Sequence, residues 1–198
     1  MKILTVAVAA AAALILGLVL GALLLGHESE PGDQSPEAGF ARDMSVHHAQ
    51  AVELSFIVRD RTQVPEVRVM AYDIINTQRA QIGMFSGWLQ QWELPQTSVR
   101  PPMEWTDHGH GGVMMQSYDD MPGMASDADL QKLKDASGVE AERLFLELMI
   151  EHHKGGVEMA EVVLPLTDRS EVTYLADTLV AGQQAEIATM EDMLAART

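Results

Sequence analysis

Two short stretches, Met44-Ser45-Val46-His47-His48 and Met149-Ile150-Glu151-His152-His153, repeat one pattern: a thioether followed by a pair of imidazoles. On a helix the methionine and the first histidine, three residues apart, share one face on adjacent turns. The second histidine lies on the other flank of the methionine. One turn thus offers a thioether and two imidazoles, and the second stretch offers another set. Thioether sulfur is soft; it suits Cu(I), and by the same chemistry Ag(I), far better than Zn(II), Mg(II) or Ca(II). Imidazole binds Cu(I) and Cu(II) alike. Copper, above all Cu(I), is therefore the ion expected at Met44, His47, His48, Met149, His152 and His153. A methionine on a helical seam is ordinarily core filler, and a lone His-His pair is ordinarily a surface feature. The argument for metal is coincidence: four of the seven histidines fall in two pairs at one seam phase, each preceded by Met.

Further residues frame these motifs. Gln78 and Gln183 are polar positions on otherwise apolar seams. Their amides are expected either to bond the histidines of a facing helix, as groups behind metal ligands do, or to face solvent at the seam edge. Gly155-Gly156 inside a helix is unfavourable by roughly 1 kcal/mol per residue against Ala, so a close helix approach or space beside His152 and His153 is expected there. Glu53 and Glu158 stand well round the helix from the Met-His face and are expected in solvent or in salt bridges. A Met- and His-rich segment carries His108, His110, Met114, Met115, Met121 and Met124, readable as an auxiliary copper site or as a disordered loop.

The elements that position these residues come from an internal repeat. Phe40, Met44, His47 and His48 align with Phe145, Met149, His152 and His153 at an offset of 105, and Val52, Glu66, Gln78, Ile82 and Leu89 keep the same offset with Val157, Glu171, Gln183, Ile187 and Leu194. Each unit reads as two helices. The first runs from Pro36 to about Arg61 and the second from Pro65 to before Pro95. In the second unit the helices run from about Val139 to Leu164, and onward from a cap at Ser170. Apolar seams have helical spacing: Phe40, Met44, His47, Ala51, Leu54, Val58 on the first helix, and Val67, Ala71, Ile74, Gln78, Ile82, Phe85, Leu89 on the second. The expected fold is all-α: an antiparallel four-helix bundle of two repeated hairpins, preceded by an N-terminal transmembrane helix. The domain 38–198 divides into repeat one (38–94), a Met/His-rich linker (95–137) and repeat two (138–198). Within the linker, Ser126 caps a short helix over Asp127–Ala136.

At the amino terminus, Ile3 to Leu25 is apolar except for Thr5. About 23 residues at roughly 1.5 Å each cross a hydrocarbon core of about 30 Å. A cleaved signal peptide is the rival, although its apolar region is usually shorter and Leu23-Leu24-Leu25-Gly26 is a poor cleavage site. Residues 1–26 are read as the anchor or signal and 27–37 as a flexible stalk. Lys2 on one side and Glu28, Glu30 and Asp33 on the other place the domain outside the cytoplasm, single-pass if the anchor is retained. A net charge of −16 argues against nucleic acid as a partner and suits cations; no protein partner is indicated. The absence of cysteine excludes disulfides, iron–sulfur clusters, thiolate zinc sites and c-type haem attachment. Methionine also resists oxidising surroundings better than cysteine does.

Residues 40 to 196 resemble the bacterial family called domain of unknown function 305. The resemblance rests on Met44-x-x-His47-His48, Met149-x-x-His152-His153-x-x-x-x-Glu158-Met159-Ala160, Gln183-x-x-Glu186-Ile187-x-x-Met190, and Met121-Pro122-Gly123-Met124 with the short helix after it. It implies a ferritin-like fold of two helical hairpins in secreted or membrane-anchored proteins, some of them similar to copper-resistance proteins that sequester Cu(I) and Ag(I). Gln81 and Leu54 stand where the second unit has Glu186 and Met159, so the two half-sites are expected to differ in strength. The resulting expectation is a non-enzymatic protein that sequesters or delivers copper. The rivals are a ferritin-like di-iron or di-manganese oxidase, which requires Glu-x-x-His pairs that do not match here, a b-type haem protein, and a metal-free surface-tethered interaction module.

Overall fold

The computed structural model describes residues 12–18, 21, 30–106 and 115–197. It divides into a unit ending at Glu30 and a second unit from Pro31 onward, each considered by itself. In the first, residues 12–18 are helical. The expected membrane span over 3–25 lies mostly outside the described residues, and among those no helix is long and apolar enough to cross a membrane.

The second unit is all helix and turn among its described residues: α1 (Pro36–Arg61), α2 (Pro65–Gln91), α3 (Asp127–Asp135), α4 (Gly138–Val163) and α5 (Ser170–Ala195). Boundary chemistry explains the limits. Ser35 Oγ accepts from the Ala38 amide and Pro36 opens α1, and Ser126 Oγ accepts from the Asp129 amide at the head of α3; both satisfy amides that have no partner inside the helix. Ser170, expected as a cap, is instead the first residue of α5; Arg169 holds the cap position, and its side chain does not cap the helix. Of the stretch 27–37 expected as a flexible stalk, residues 30–37 are among those described. From Pro31 the chain is already folded, with the Asp33 carboxylate 2.6 Å from Arg42 Nη2 and Pro36 and Glu37 inside α1.

α1 packs along α2, α4 along α5, and α1 along α4. Two apolar clusters fill the interior. One gathers the start of α1 (Phe40, Met44), the end of α2 (Phe85, Leu89), the end of α4 (Met159, Val163) and the start of α5 (Val172, Leu179). The other gathers the opposite ends: Leu54 and Val58, Val67 and Ile74, Phe145 and Met149, and Met190. Phe40, Met44, His47, Ala51, Leu54 and Val58 are all 0% exposed, so the seam that carries the histidines is also the core.

The repeat is visible in hydrogen bonds that cross between units. Thr62 Oγ1 donates to Glu142 Oε1 at 2.5 Å, and Thr167 Oγ1 donates to Glu37 Oε1 at 2.6 Å. Thr62 and Thr167 are 105 apart, as are Glu37 and Glu142. Each hydroxyl also accepts a backbone amide two residues on, from Val64 and Arg169. The corner after each first helix is thus pinned to the other unit's first helix, and buried Glu142 gains a further partner in Arg197 Nε at 2.7 Å. A buried carboxylate is tolerable only when bonded in this way.

Candidate metal centre

Between the two apolar clusters lies a polar layer. His47, His48 and His153 are 0% exposed and His152 is 1% exposed. The rings of His47 and His152, equivalent positions of the repeat, face each other with centroids 3.8 Å apart. His48 and His153 flank them, at 6.4 Å from His47 and 6.3 Å from His152. Met44 enters from the cluster on one side and Met149 from the cluster on the other.

Three rings have a fixed orientation. His47 Nε2 lies 3.0 Å from the Pro122 carbonyl oxygen, His152 Nε2 lies 3.0 Å from the His47 carbonyl oxygen, and His153 Nε2 lies 2.7 Å from Glu186 Oε2. These partners can only accept, so in each pair the ring nitrogen donates. On every one of the four rings Nδ1 has no hydrogen-bond partner among the described residues, and on His48 neither nitrogen has one. Burial, with the neighbouring imidazoles adding to it, holds His48 and His152 well below the ordinary histidine range. Burial likewise brings His47 down to about 4, partly offset by the Pro122 carbonyl. These three rings are neutral at pH 7, so Nδ1 of His47 and of His152 carries an unused lone pair. A ligand histidine commonly donates its other N–H to a carbonyl or carboxylate in this manner.

The layer therefore fits a soft cation in its chemistry: neutral imidazoles with unused lone pairs, and thioethers on either side. Among the described residues no three His, Asp or Glu side chains converge as a ready cage, so a complete ligand set would draw on Met44 and Met149. The carboxylate bonded to the layer is Glu186.

Other expected positions divide. Gln78 and Gln183 are 2% and 4% exposed, so neither faces solvent. Neither bonds an imidazole: their Oε1 atoms are unpartnered among the described residues, and two backbone carbonyls and a carboxylate take the role expected of them. Gln81 stands beside His48, near enough to favour its charged form but without a well-formed hydrogen bond. Glu53 and Glu158 are exposed, and Glu53 pairs with Lys134 at 3.0 Å. In the linker, His108, His110 and Met114 lie outside the described residues. Met121 is 2% exposed, and Met115 and Met124 pack partly buried against the cluster that holds Met44.

Sequence reasoning did not foresee the turn Met121-Pro122-Gly123-Met124 as a lid on the layer. It lies on α4, and two glycines permit the approach. Gly123 has φ +75°, and a Cβ there would fall 2.4 Å from the Glu151 carbonyl oxygen; a Cβ on Gly155 would fall 2.0 Å from the Pro122 carbonyl oxygen. Gln50, the counterpart of Gly155, holds the far side of the turn. Its amide donates to the Ala125 carbonyl at 2.8 Å and accepts from the Ala125 N–H at 2.7 Å. Here the pseudo-symmetry breaks: His152 bonds the His47 carbonyl, whereas His47 bonds the linker. The cue in the sequence was the pair Gly155-Gly156, since Gly156 likewise makes room for the Gln183 amide.

The chain matches the family described as Domain of unknown function (DUF305) over residues 37–194. No curated protein matches it. Among solved structures it is similar to a candidate secreted DUF305 protein from Streptomyces coelicolor, at 49% identity over 84% of this chain and 96% of that one, with a TM-score of 0.76. A DUF305 fragment from Deinococcus radiodurans follows at 36% identity over 81% and 95%, with a TM-score of 0.67. CopM in its Cu(II)-bound form matches at 28% identity over 82% and 97%, with a TM-score of 0.62. CopM is also solved in Cu(I)-bound and Ag-bound forms, each 26% identical. The chain is a member of the DUF305 family.

Proposed function

We propose that this protein binds copper outside the cytoplasm, as Cu(I) and by the same chemistry Ag(I), and sequesters it or hands it on. The observation that carries this reading is the buried layer of His47, His48, His152 and His153, whose Nδ1 atoms have no hydrogen-bond partner among the described residues. Removing imidazoles from water without using their lone pairs is costly, and a soft cation would use them. Met44 and Met149 supply thioether to either side, and the likeness to CopM in copper- and silver-bound forms supports the choice of metal. The four long helices are read as a ferritin-like antiparallel bundle. The apolar stretch over 3–25 is read as the anchor or export signal that carries the bundle across the membrane.

The test is a titration of the purified chain with Cu(I) against a chromogenic Cu(I) chelator under anaerobic conditions, beside Zn(II) and Fe(II). The native chain is expected to withdraw Cu(I) from the chelator. Loss of a group behind a ligand weakens metal binding by about 10–100-fold, so His47→Ala with His152→Ala is expected to exceed that loss. Preference for Fe(II), or no competition for Cu(I), would return the layer to an oxidase or a structural role.

A further inference from the structure

The histidine layer is closed on most sides. α1 packs against α2 and α4, and α4 against α5, while the 121–124 turn rests on α4 with no space for even a methyl group between them. Where α2 faces α5 there is instead a cleft of about 40 Å³, room for roughly two or three water molecules. Thr77 from α2 and Thr178 and Gly182 from α5 form its exposed rim. Inside it stand Gln78, Gln81 and Gln183, exposed 2%, 9% and 4%, and the Oε1 of each has no hydrogen-bond partner among the described residues. Glu186 belongs to the same cleft. Its side chain is 27% exposed, yet its carboxylate is bonded to the wholly buried His153.

The cleft therefore ends on residues whose buried amide oxygens have unused acceptor capacity, and the Glu186 carboxylate reaches from it to a ring of the layer. Buried acceptors are normally satisfied; three unsatisfied at the base of one cleft suit a place that opens to admit water and a cation. The repeat gives it direction. Gln81 and Glu186 are equivalent positions, so the passage carries a negative charge on the His153 side alone.

Resting on the copper reading, we propose that the cleft between α2 and α5 is the passage by which Cu(I) enters and leaves, ending at Glu186 and His153. Gly182 offers a clean way to obstruct it, because a Cβ there meets nothing within 4 Å and bulk can be added without a backbone clash. In stopped-flow transfer of Cu(I) from the chromogenic chelator to the full chain, Gly182→Phe is expected to slow uptake and release alike, by about tenfold, as a gate does. Its equilibrium affinity and stoichiometry should stay native. Thr77→Trp, obstructing from the opposite rim, repeats the test should the first variant fail to fold by circular dichroism. Gly87→Phe, adding equal bulk at an exposed position of α2 outside the cleft, is expected to leave the rates native. Native rates in both obstructed variants would overturn the passage and leave the copper reading standing. No uptake by the native chain would overturn both.

Discussion

Metal-free protein unfolded by guanidinium at a series of pH values is expected to lose stability steeply as the pH falls from about 6.5 toward 4.5. His47 is held at about 4 by burial, against an ordinary value of 6.5, and His48 and His152 are held well below 6.5 by burial and by the imidazoles beside them. For a group whose pKa is lowered on folding, the unfolded chain takes up a proton that the fold refuses. Its stability is therefore intact above 6.5 and declines as the pH falls toward the folded value. Each such histidine contributes about 1.4 kcal/mol per pH unit, so His47 alone accounts for about 3 kcal/mol across its window.

Asp43 opposes this trend. Burial pushes its carboxyl up to about 6 from 3.8, despite bonds from the Met103 amide and the Trp105 indole. Between those values the fold holds a proton that the unfolded chain lacks, so Asp43 adds stability on acidification and cancels about one histidine. With one histidine cancelled, the other lowered histidines leave a net proton uptake on unfolding, so stability still falls with the pH. His48→Leu is the diagnostic variant: it should remove about one proton of this slope. It should also cost little stability at pH 7, because neither ring nitrogen of His48 has a partner among the described residues to lose. A flat stability profile between pH 6.5 and 5 would refute the neutral, buried layer on which the copper reading stands.

The same neutrality bears on function. Rings of the layer whose pKa burial lowers, His47, His48 and His152, keep their lone pairs available to a cation in mildly acidic surroundings, where exposed histidines would already be charged. An ion bound to the fold and not to the unfolded chain would restore stability by mass action. The expected acid sensitivity and the proposed metal affinity thus share one arrangement: buried imidazoles whose Nδ1 atoms have no partner among the described residues.

The elements were legible in the sequence because their signals are periodic and local. The 105-residue offset, the prolines at 36 and 65 and the seam through Phe40, Met44, His47, Ala51, Leu54 and Val58 depend on spacing along one chain; α1 and α4 begin and end within about a residue of expectation, and α2 begins at Pro65 as expected and stops at Gln91, short of Pro95. What was hidden depends on the backbone or on partners distant in sequence. The acceptors that orient His47 and His152 are main-chain carbonyls, which no side-chain pattern encodes. Gln78 and Gln183 stand out by polarity on an apolar seam, but polarity alone does not tell whether an amide meets a ring, solvent or a cleft. The crosswise Thr62–Glu142 and Thr167–Glu37 bonds obey the same offset as the motifs. Thr and Glu at helix ends have many ordinary roles, so the match carries no signal of its own in the sequence.

Gly155→Ala is expected to destabilise the protein by about 2–3 kcal/mol, the upper part of the range for overpacking. In an open helical position the same change stabilises by about 1 kcal/mol through propensity alone, as Gly182→Ala should, since nothing approaches a Cβ there. At Gly155 the new methyl would lie 2.0 Å from the Pro122 carbonyl oxygen and 2.7 Å from the Gly123 nitrogen. Both are backbone atoms of a turn held on its far side by Gln50, so they cannot yield as a side chain would. The turn must lift, and the acceptor of His47 Nε2 then moves away, releasing the ring to reorient. Cu(I) affinity should consequently fall by about 10–100-fold, the usual effect of losing a group that orients a ligand, although every ligand remains in place. Guanidinium unfolding and chelator competition on Gly155→Ala and Gly182→Ala, side by side, measure both effects. A Gly155→Ala protein as stable as Gly182→Ala would mean that the turn does not rest on α4. Native Cu(I) affinity despite lost stability would mean that the Pro122 carbonyl does not orient His47.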